Sequence, residues 1–182
     1  MSRPLSCLLL ATTFFALSAC HANLDWREVR PPEGAFSLWM PARTFEETRE
    51  LVIAGQRVSM HQWSARARDT LFAIGYADFA PPTPEALTAL RDALVANISG
   101  KVLSDQAGPN RRDIAAAGEV NGAPLMLHLR LAASGQRLYQ IVVLGKPEDL
   151  SAGDVDFFFQ SFRQLTPGQS LPAAPPPGRP PG

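Results

Sequence analysis

Apolar residues recur at every second position in several segments between residues 35 and 165, and this period is typical of strands in a sheet. From Phe36 to Met40 every second residue is apolar, and Pro41 ends the run. Leucine occupies every second position from Leu125 to Leu131, which predicts a strand with one buried face. The segment from Leu138 to Leu144 is apolar on both faces, so it is predicted to lie at the centre of the sheet.

Turn residues connect further predicted strands into hairpins. Asn121-Gly122 follows the strand predicted from Ile114 to Val120 and is a strong signal for a two-residue turn. Gly55-Gln56 predicts a type II′ turn, because glycine stands at the first turn position. The other strands in this part of the chain are predicted at Leu51 to Ala54, Arg57 to Arg66 and Leu71 to Phe79.

Two helices are predicted from cap residues that precede apolar residues at helical spacing. Thr83 and Pro84 suit the N-cap and first position of a helix that Gly100 ends. Ser151 and Asp154 form a capping box at the start of a second helix. Arg111-Arg112 is predicted to lie in a loop before the next strand. The apolar stripes are Leu87, Leu90, Leu94 and Ile98 in the first helix, and Val155, Phe158, Phe159 and Phe162 in the second.

This order of strands and helices predicts an α+β domain, in which helices pack on a mostly antiparallel sheet. The order, the strand from Phe36 to Pro41 and the terminal helix around Phe157-Phe158-Phe159-Gln160-Ser161-Phe162 resemble the PsbP-like α/β/α sandwich. The resemblance covers residues 34–165. It implies a non-catalytic adaptor or stabiliser that docks on a larger assembly.

The N-terminal residues carry a targeting signal. Arg3 precedes an apolar run from Leu5 to Leu17, which is shorter than the roughly 20 residues that span a bilayer and suits a signal peptide. Leu17-Ser18-Ala19-Cys20 resembles the lipobox of bacterial lipoproteins at every position. The resemblance implies cleavage between Ala19 and Cys20, with residues 1–19 as the signal peptide, and attachment of diacylglycerol to the Cys20 thiol. An ordinary secretory signal followed by a coincidental cysteine is the alternative.

An acylated Cys20 predicts a membrane anchor, because two or more acyl chains hold a protein stably on a bilayer. His21 stands where an aspartate retains Gram-negative lipoproteins in the inner membrane, so the periplasmic face of the outer membrane is the predicted location. A lipid anchor in the cell membrane is the alternative. Residues 20–34 are polar around Pro31-Pro32 and are predicted to be a tether. Residues 166–182 contain seven prolines and are predicted to be a disordered tail.

Composition narrows the classes of function. The 182 residues carry 17 basic and 17 acidic side chains, a balance that argues against a nucleic-acid-binding protein. The two cysteines, Cys7 and Cys20, both precede the predicted domain, so it is not a disulfide-stapled scaffold. Hydrophobic residues make up 46% of the chain, which is enough for a packed core in one globular domain at residues 35–165.

One face of the predicted sheet offers candidate ligand-binding side chains. His61 and Trp63 share a face of one strand, and His128 and Arg130 share a face of another. Aromatic and basic groups suit a sugar, a glycan strand or an anionic ligand, whereas a solvated polar face is the simpler interpretation. Two histidines without a third ligand make a poor zinc site, so no metal is expected. No cofactor is expected either, because glycine-rich phosphate loops are absent.

The sequence contains no motif that indicates catalysis. A GxSxG nucleophile elbow is absent, and lipid would occupy the thiol of Cys20. We therefore expect a non-catalytic binding or adaptor protein, which contacts the membrane through its lipid and binds an envelope protein or a small ligand. The alternative is an envelope hydrolase that acts on cell wall or glycan. That alternative requires His61, His128 and a carboxylate to converge in one cleft.

Overall fold

The computed structural model describes residues 24–78 and 83–165, and within these ranges it contains ten strands and two helices. The α+β class predicted from the sequence is confirmed. In chain order the elements are β1 (Arg27–Val29), β2 (Phe36–Met40), β3 (Phe45–Ile53), β4 (Gln56–Ala67), β5 (Thr70–Asp78), α1 (Pro84–Ala96), β6 (Lys101–Ala107), β7 (Arg111–Val120), β8 (Ala123–Ser134), β9 (Arg137–Gly145), α2 (Ala152–Ser161) and β10 (Arg163–Gln164), with a 3₁₀ turn at Pro147–Asp149.

The strands form two sheets. The main sheet has seven strands in the order β3-β4-β5-β9-β8-β7-β6, and β9 lies at its centre as predicted. Every neighbouring pair in it is antiparallel. The second sheet has the order β1-β2-β10, and its pairs are also antiparallel. The prediction of a mostly antiparallel sheet is therefore confirmed.

The main sheet separates two hydrophobic cores. One of its faces packs against α1, where Leu90 and Val95 of the helix join Leu129 of β8 in a single cluster. The other face is covered by the second sheet and α2, and this second core contains aromatic residues such as Phe36 and Phe158. Helices therefore lie on both faces of the main sheet, and the second sheet lies beside α2.

The chain enters and leaves the described domain at opposite ends of the main sheet. Leu24 lines a small cavity with Arg68 of the β4–β5 turn, and the end of the sheet that carries this turn is termed the proximal end. The end that carries the β3–β4 and β8–β9 hairpins is the distal end. The Leu165 amide donates to the Ala35 carbonyl at 2.8 Å, and the Tyr139 hydroxyl donates to the same carbonyl at 3.2 Å. The chain therefore leaves toward the distal end.

The folded region begins earlier than the sequence predicts. The predicted tether of residues 20–34 contains β1, which pairs with β2 in an antiparallel register. Trp26 packs edge to face on Phe72 and Phe157, with ring centroids 6.3 and 4.7 Å apart. From residue 24 onward the segment is therefore part of the domain. Its few apolar side chains pack against residues that are distant in the sequence, so the segment alone gives no signal of a strand. The predicted signal peptide, the lipobox and the proline-rich tail lie outside the described residues.

A strand occupies part of the segment that was predicted as a loop. Six of the seven residues of β6 are exposed, so neither face of the strand is buried. Its sequence therefore lacks the alternation of apolar and polar residues that predicts a strand. Arg111 and Arg112 lie on β7 rather than in a loop, and they form ion pairs with Asp113 and Asp105 at 3.0 and 2.6 Å. Edge strands that are exposed on both faces lack the hydrophobic signal of a half-buried strand.

Two hairpin turns use residues with positive φ. Ala54 and Gly55 have φ of 48° and 80° and form the β3–β4 turn, one residue earlier than predicted. Positive φ at both central positions is the property of a type I′ turn, so the predicted type II′ turn is wrong. Asn121 and Gly122 have φ of 52° and 77° and connect β7 to β8, which confirms that hairpin.

Candidate functional site

Two clefts flank the layer that the second sheet and α2 form on the main sheet. The β3-side cleft has a volume of about 490 Å³ and lies across the first half of β3, the middle of β4 and the last part of β5. The β7-side cleft has a volume of about 210 Å³ and lies between α2 and the strands β6, β7 and β8. The β3-side cleft is lined by Glu33, Glu46, Glu47, Thr48, His61, Gln62, Trp63 and Tyr76.

Three stacked rings form the base of the β3-side cleft. His61 pairs with Tyr76 across β4 and β5, and their rings stack with centroids 5.0 Å apart. Trp63 stacks on Tyr76 with a centroid distance of 6.0 Å. Trp63 and Tyr76 are only 8% and 5% exposed, so the site lacks an open aromatic platform on which a sugar could stack. The rings instead give the cleft a rigid base.

Arg137 holds this base from the distal end. Its guanidinium lies 4.3 Å from the Tyr76 ring centroid and donates to both carboxylate oxygens of Asp78 at 2.6 Å. A further donation reaches the Glu33 carbonyl at 2.5 Å. Hydrogen bonding from Arg137 lowers the pKa of Asp78, and burial raises the pKa of the Tyr76 phenol. Arg137 is therefore a fixed structural cation that connects β5, β9 and the loop before β2.

The rim of the β3-side cleft carries uncompensated negative charge. Glu47 pairs with Arg49 at 2.8 Å, but no ion pair to Glu33 or Glu46 occurs in the described part of the chain. Both of these glutamates are exposed. His61 shares a hydrogen bond of 3.1 Å between its Nδ1 atom and the Thr48 hydroxyl. A cationic group is the ligand chemistry that these carboxylates suit, because opposite charges attract.

Arg130 has a structural role in the β7-side cleft. Its guanidinium donates to Asp113 at 2.6 Å and to the Phe159 carbonyl of α2 at 2.7 Å. It also lies 5.0 Å from the centroid of the Phe159 ring. These contacts attach the last turns of α2 to β7 and β8, so the charge of Arg130 is already neutralised within the fold. This residue was predicted as part of a ligand face, and the structure gives it a different use.

Acidification is expected to destabilise the domain through His128. Burial lowers the pKa of its imidazole below 6.5, the ordinary value, and the opposing effect of the Asp156 carboxylate is smaller. The unfolded chain then binds a proton that the folded chain resists. The free energy of unfolding therefore falls as the pH drops from above 6.5 through the folded pKa. In thermal melts over this pH range, the midpoint of His128→Gln is expected to fall less steeply with decreasing pH than that of the wild type. Equal dependence of the two midpoints on pH would contradict this role of His128.

The structure places the predicted ligand residues on one sheet face but in separate clefts. β5 and β9 lie between β4 and β8, and His61 is level with Ala132 rather than with His128. Three strand spacings and four residues separate the two histidines, which corresponds to roughly 20 Å. The convergence of His61 and His128 that an envelope hydrolase requires is therefore absent.

Comparisons with known proteins give only a distant likeness. No protein-family model and no curated protein matches the chain. A crystal structure of a protein from Bacteroides thetaiotaomicron is similar over 80% of this chain, with 15% sequence identity and a TM-score of 0.44. The chain spans about half of that protein, since 50% of its length is covered. A likeness at this level carries no argument about function.

The residues that complete the β3-side cleft were not among the predicted ones. Tyr76 lies within an apolar strand, and its only sequence signal is a polar-tipped ring two residues before Asp78. Glu33 lay in the predicted tether, and Glu46 precedes the part of β3 that shows an apolar pattern. The pairing of β3 with β4 and of β4 with β5 brings Glu46 and Tyr76 to the same cleft. The apolar pattern along one strand does not reveal which strands pair or in which register.

The described residues offer neither a metal site nor a membrane span. Within residues 24–78 and 83–165, no group of three or more His, Cys, Asp or Glu side chains is arranged to hold a metal ion. In the same ranges neither helix is long and apolar enough to cross a bilayer.

Proposed function

We propose that this protein is a bacterial envelope lipoprotein with a non-catalytic binding domain. The lipobox Leu17-Ser18-Ala19-Cys20 supports lipid attachment at Cys20, and His21 supports the periplasmic face of the outer membrane. The domain is of the PsbP-like type in this proposal, which the presence of helices on both faces of an antiparallel sheet supports. Its task is to hold a protein partner of the envelope near the membrane.

The β3-side cleft is the observation that carries the binding role. Glu33 and Glu46 project negative charge over a rigid base of rings, and neither is neutralised by an ion pair among the described residues. A lysine or arginine side chain of the partner would enter between the two carboxylates, above the rigid base of the cleft. An exposed ion pair contributes only about 0.2–1 kcal/mol. The cleft therefore selects the orientation of a partner whose remaining contacts supply most of the affinity.

The contacts of the two histidines favour binding over catalysis. The hydrogen-bond partner of His61 is the hydroxyl of Thr48 rather than a carboxylate. His128 lies in the other cleft, beside Arg130, whose charge is taken up by Asp113. A general base needs a partner that orients its ring and a substrate group within hydrogen-bond reach. Among the described residues, neither histidine hydrogen-bonds to a carboxylate, as the histidine of a Ser-His-Asp triad does.

The Cys20→Ala variant is expected to leave the membrane fraction. Without the thioether the chain has no acyl chains, so the folded domain should appear in the soluble fraction of the envelope with an unchanged thermal midpoint. Ultracentrifugation of envelope preparations followed by immunoblotting measures this distribution. Cys7→Ala is the matched control and should stay with the membranes, because Cys7 lies before the predicted cleavage site. Sedimentation of Cys20→Ala with the membranes would refute the anchor.

A photo-reactive residue in the β3-side cleft is expected to capture a partner protein in the native envelope. Position 48 lines the cleft, whereas position 52 lies on the same strand, is 70% exposed and lies outside it. A discrete adduct should form from position 48 and not from position 52. Equal adduct patterns from the two positions would contradict the proposed site.

Charge removal gives a second measure of the same site. Glu46→Gln is expected to weaken binding of the captured partner by about 1.5- to 5-fold, which corresponds to one exposed ion pair. Glu50→Gln is the control, because Glu50 is an exposed carboxylate of the same strand that does not line the cleft. Titration of the purified partner measures both variants, and an equal loss for the two would point to general charge rather than to the cleft.

A further inference from the structure

One edge of the main sheet is open to a further strand. β3 forms this edge, and no strand within residues 24–78 and 83–165 pairs with its outer side. Bulges, prolines and charged side chains usually blunt such edges. β3 pairs with β4 without a register shift from Phe45 to Ile53, and it contains neither proline nor lysine. Its glutamates and its one arginine are the only such device, and a charge repels one sign while it attracts the other.

The opposite edge of the sheet, which β6 forms, is better protected. The register of β6 with β7 shifts between Val102 and Ser104, and the extra residue there disrupts the strand edge. Lys101 at the start of β6 is exposed and adds a positive charge. Both features discourage pairing with another strand. The two edges therefore differ, and β3 is the one that can accept a strand.

Alternate residues of β3 direct their backbone groups to the open edge. The turn after β3 closes with Ile53 opposite Gln56, and this pair is hydrogen-bonded in a two-residue turn. Hydrogen-bonded and non-hydrogen-bonded pairs alternate along an antiparallel ladder. The N–H and C=O groups of Glu46, Thr48 and Glu50 therefore point away from β4. All three residues are exposed, so their backbone groups are available to an added strand.

The open edge is continuous with the β3-side cleft. Glu46 and Thr48 line that cleft, and the side chains opposite them in an added strand would lie on the same face of the sheet. Directly opposite residues have Cβ atoms about 4.5–5.5 Å apart. A lysine or arginine opposite Glu46 would therefore reach the space between Glu33 and Glu46. The intervening side chains would lie on the face of Phe45, which is 66% exposed, and would cover its ring.

Charge disfavours a second copy of this chain at the open edge. β3 carries Glu46, Glu47 and Glu50 against Arg49. When two β3 strands pair antiparallel through their outer edges, the longest registers place Glu46 opposite Glu50, or Glu50 opposite Glu50. The remaining long register places Arg49 opposite Arg49. Like charges directly opposite each other are destabilising, whereas a basic strand meets the opposite sign.

We propose that the partner supplies an extended segment with basic residues at alternate positions, which pairs with residues 45–50 and adds a strand to the main sheet. This inference rests on the cationic partner of the proposed function and specifies how it binds. Backbone hydrogen bonds supply affinity, and the side chains over the cleft supply selectivity. β4 pairs with β5 only as far as His61, so the β3–β4 hairpin beyond residue 50 is two-stranded. Position 52 therefore stays outside the contact.

Hydrogen exchange at single-residue resolution on the full lipidated chain in detergent tests the pairing. The probe is a blocked peptide that alternates lysine and threonine. It is expected to slow exchange at the amides of Glu46, Thr48 and Glu50, whereas the amides of Glu47 and Arg49 already bond to β4 and should change little. A peptide of the same composition with its lysines in one block is expected to bind about 1.5- to 5-fold more weakly, because fewer lysines face the cleft.

Thr48→Pro removes an outward N–H group from the open edge. Thr48→Ala is the matched control, because both variants lose the hydroxyl that bonds His61 and only proline loses the amide. Thr48→Pro is expected to bind the alternating peptide about 3- to 10-fold more weakly than Thr48→Ala, which corresponds to one hydrogen bond. The lost N–H does not point to β4, so the thermal midpoints of the two variants should be similar. If Thr48→Pro does not fold, the exchange pattern of the native chain decides.

The outcomes separate strand addition from the charge of the cleft. Equal affinities for the two peptides, together with equal affinities of the two variants, would refute strand addition and leave the cationic partner of the proposed function standing. Binding of neither peptide would refute the basic segment, while capture of a protein from position 48 would still support the proposed function. A dimer of the free chain that dissociates in Thr48→Pro would show that a second copy occupies this edge, and it would overturn the inference.

Discussion

Phe36→Ala is expected to lower the free energy of unfolding by about 3–5 kcal/mol, the usual cost of removing a fully buried phenylalanine. Phe36 is 0% exposed and meets Trp63 and Tyr139 edge to face at centroid distances of 5.6 and 6.0 Å. Phe162 lies at 6.3 Å. The lost ring would leave a cavity where the two sheets and the end of α2 meet, and the large neighbouring rings cannot collapse into it.

Urea unfolding measures this loss, and Val52→Ala is the control. Val52 is 70% exposed, so its truncation is expected to change stability by about 0.5 kcal/mol or less. Similar losses for the two variants would contradict the described core. Trp63 packs on Phe36 and forms part of the base of the β3-side cleft, so Phe36→Ala should also weaken partner binding. Glu46→Gln, in contrast, should weaken binding without lowering the free energy of unfolding.

Gly118→Ala is expected to cost about 3 kcal/mol, the upper part of the range for overpacking. A Cβ atom at residue 118 would lie 2.2 Å from the Ile98 carbonyl oxygen and 2.8 Å from the Gly100 Cα atom. Both are backbone atoms, so a side-chain rotation cannot relieve the contact. The same Ile98 carbonyl accepts from the Glu119 amide at 2.7 Å, and the segment after α1 is therefore held tightly against β7.

Gly153→Ala is the matched control for this substitution. Gly153 lies in the first turn of α2, and the nearest atom to its added Cβ is the Ser151 hydroxyl oxygen at 3.8 Å. Alanine in an open helical position is expected to be neutral or stabilising by up to about 1 kcal/mol. A Gly118→Ala variant as stable as Gly153→Ala would show that β7 and the segment after α1 do not approach this closely.

The parts of the fold that bury one face were predictable, and the edges were not. β2, β8 and β9 each show an apolar pattern, and both helices begin at cap residues, with Thr83 and Ser151 accepting from the Ala86 and Asp154 amides. β1, β6 and the first half of β3 lie at sheet edges, where neither face is fully buried. Their strand conformation depends on pairing with distant residues, so their own side chains give little signal.

For the candidate site, the sequence predicted which side chains share a face of one strand, but not which strands lie side by side. The period of two along a strand places His61 with Trp63, and His128 with Arg130, on the faces that the structure shows. Which strands are neighbours is not contained in that period. Strand order and register pair His61 with Tyr76, whereas they place His128 beside α2 in the other cleft.

The chain enters the domain at the proximal end and leaves it at the distal end. Leu24 lies at the β4–β5 turn, and the exit at Leu165 is held beside Tyr139, which is level with His61. About six strand residues, or roughly 20 Å, therefore separate the two points along the sheet. With Cys20 in a bilayer, Leu165 and the proline-rich residues that follow it in the sequence would start roughly 20 Å farther from the headgroups than the proximal end. The folded domain then acts as a rigid spacer of fixed height, which sets the distance from the membrane at which anything attached to its C-terminal side is presented.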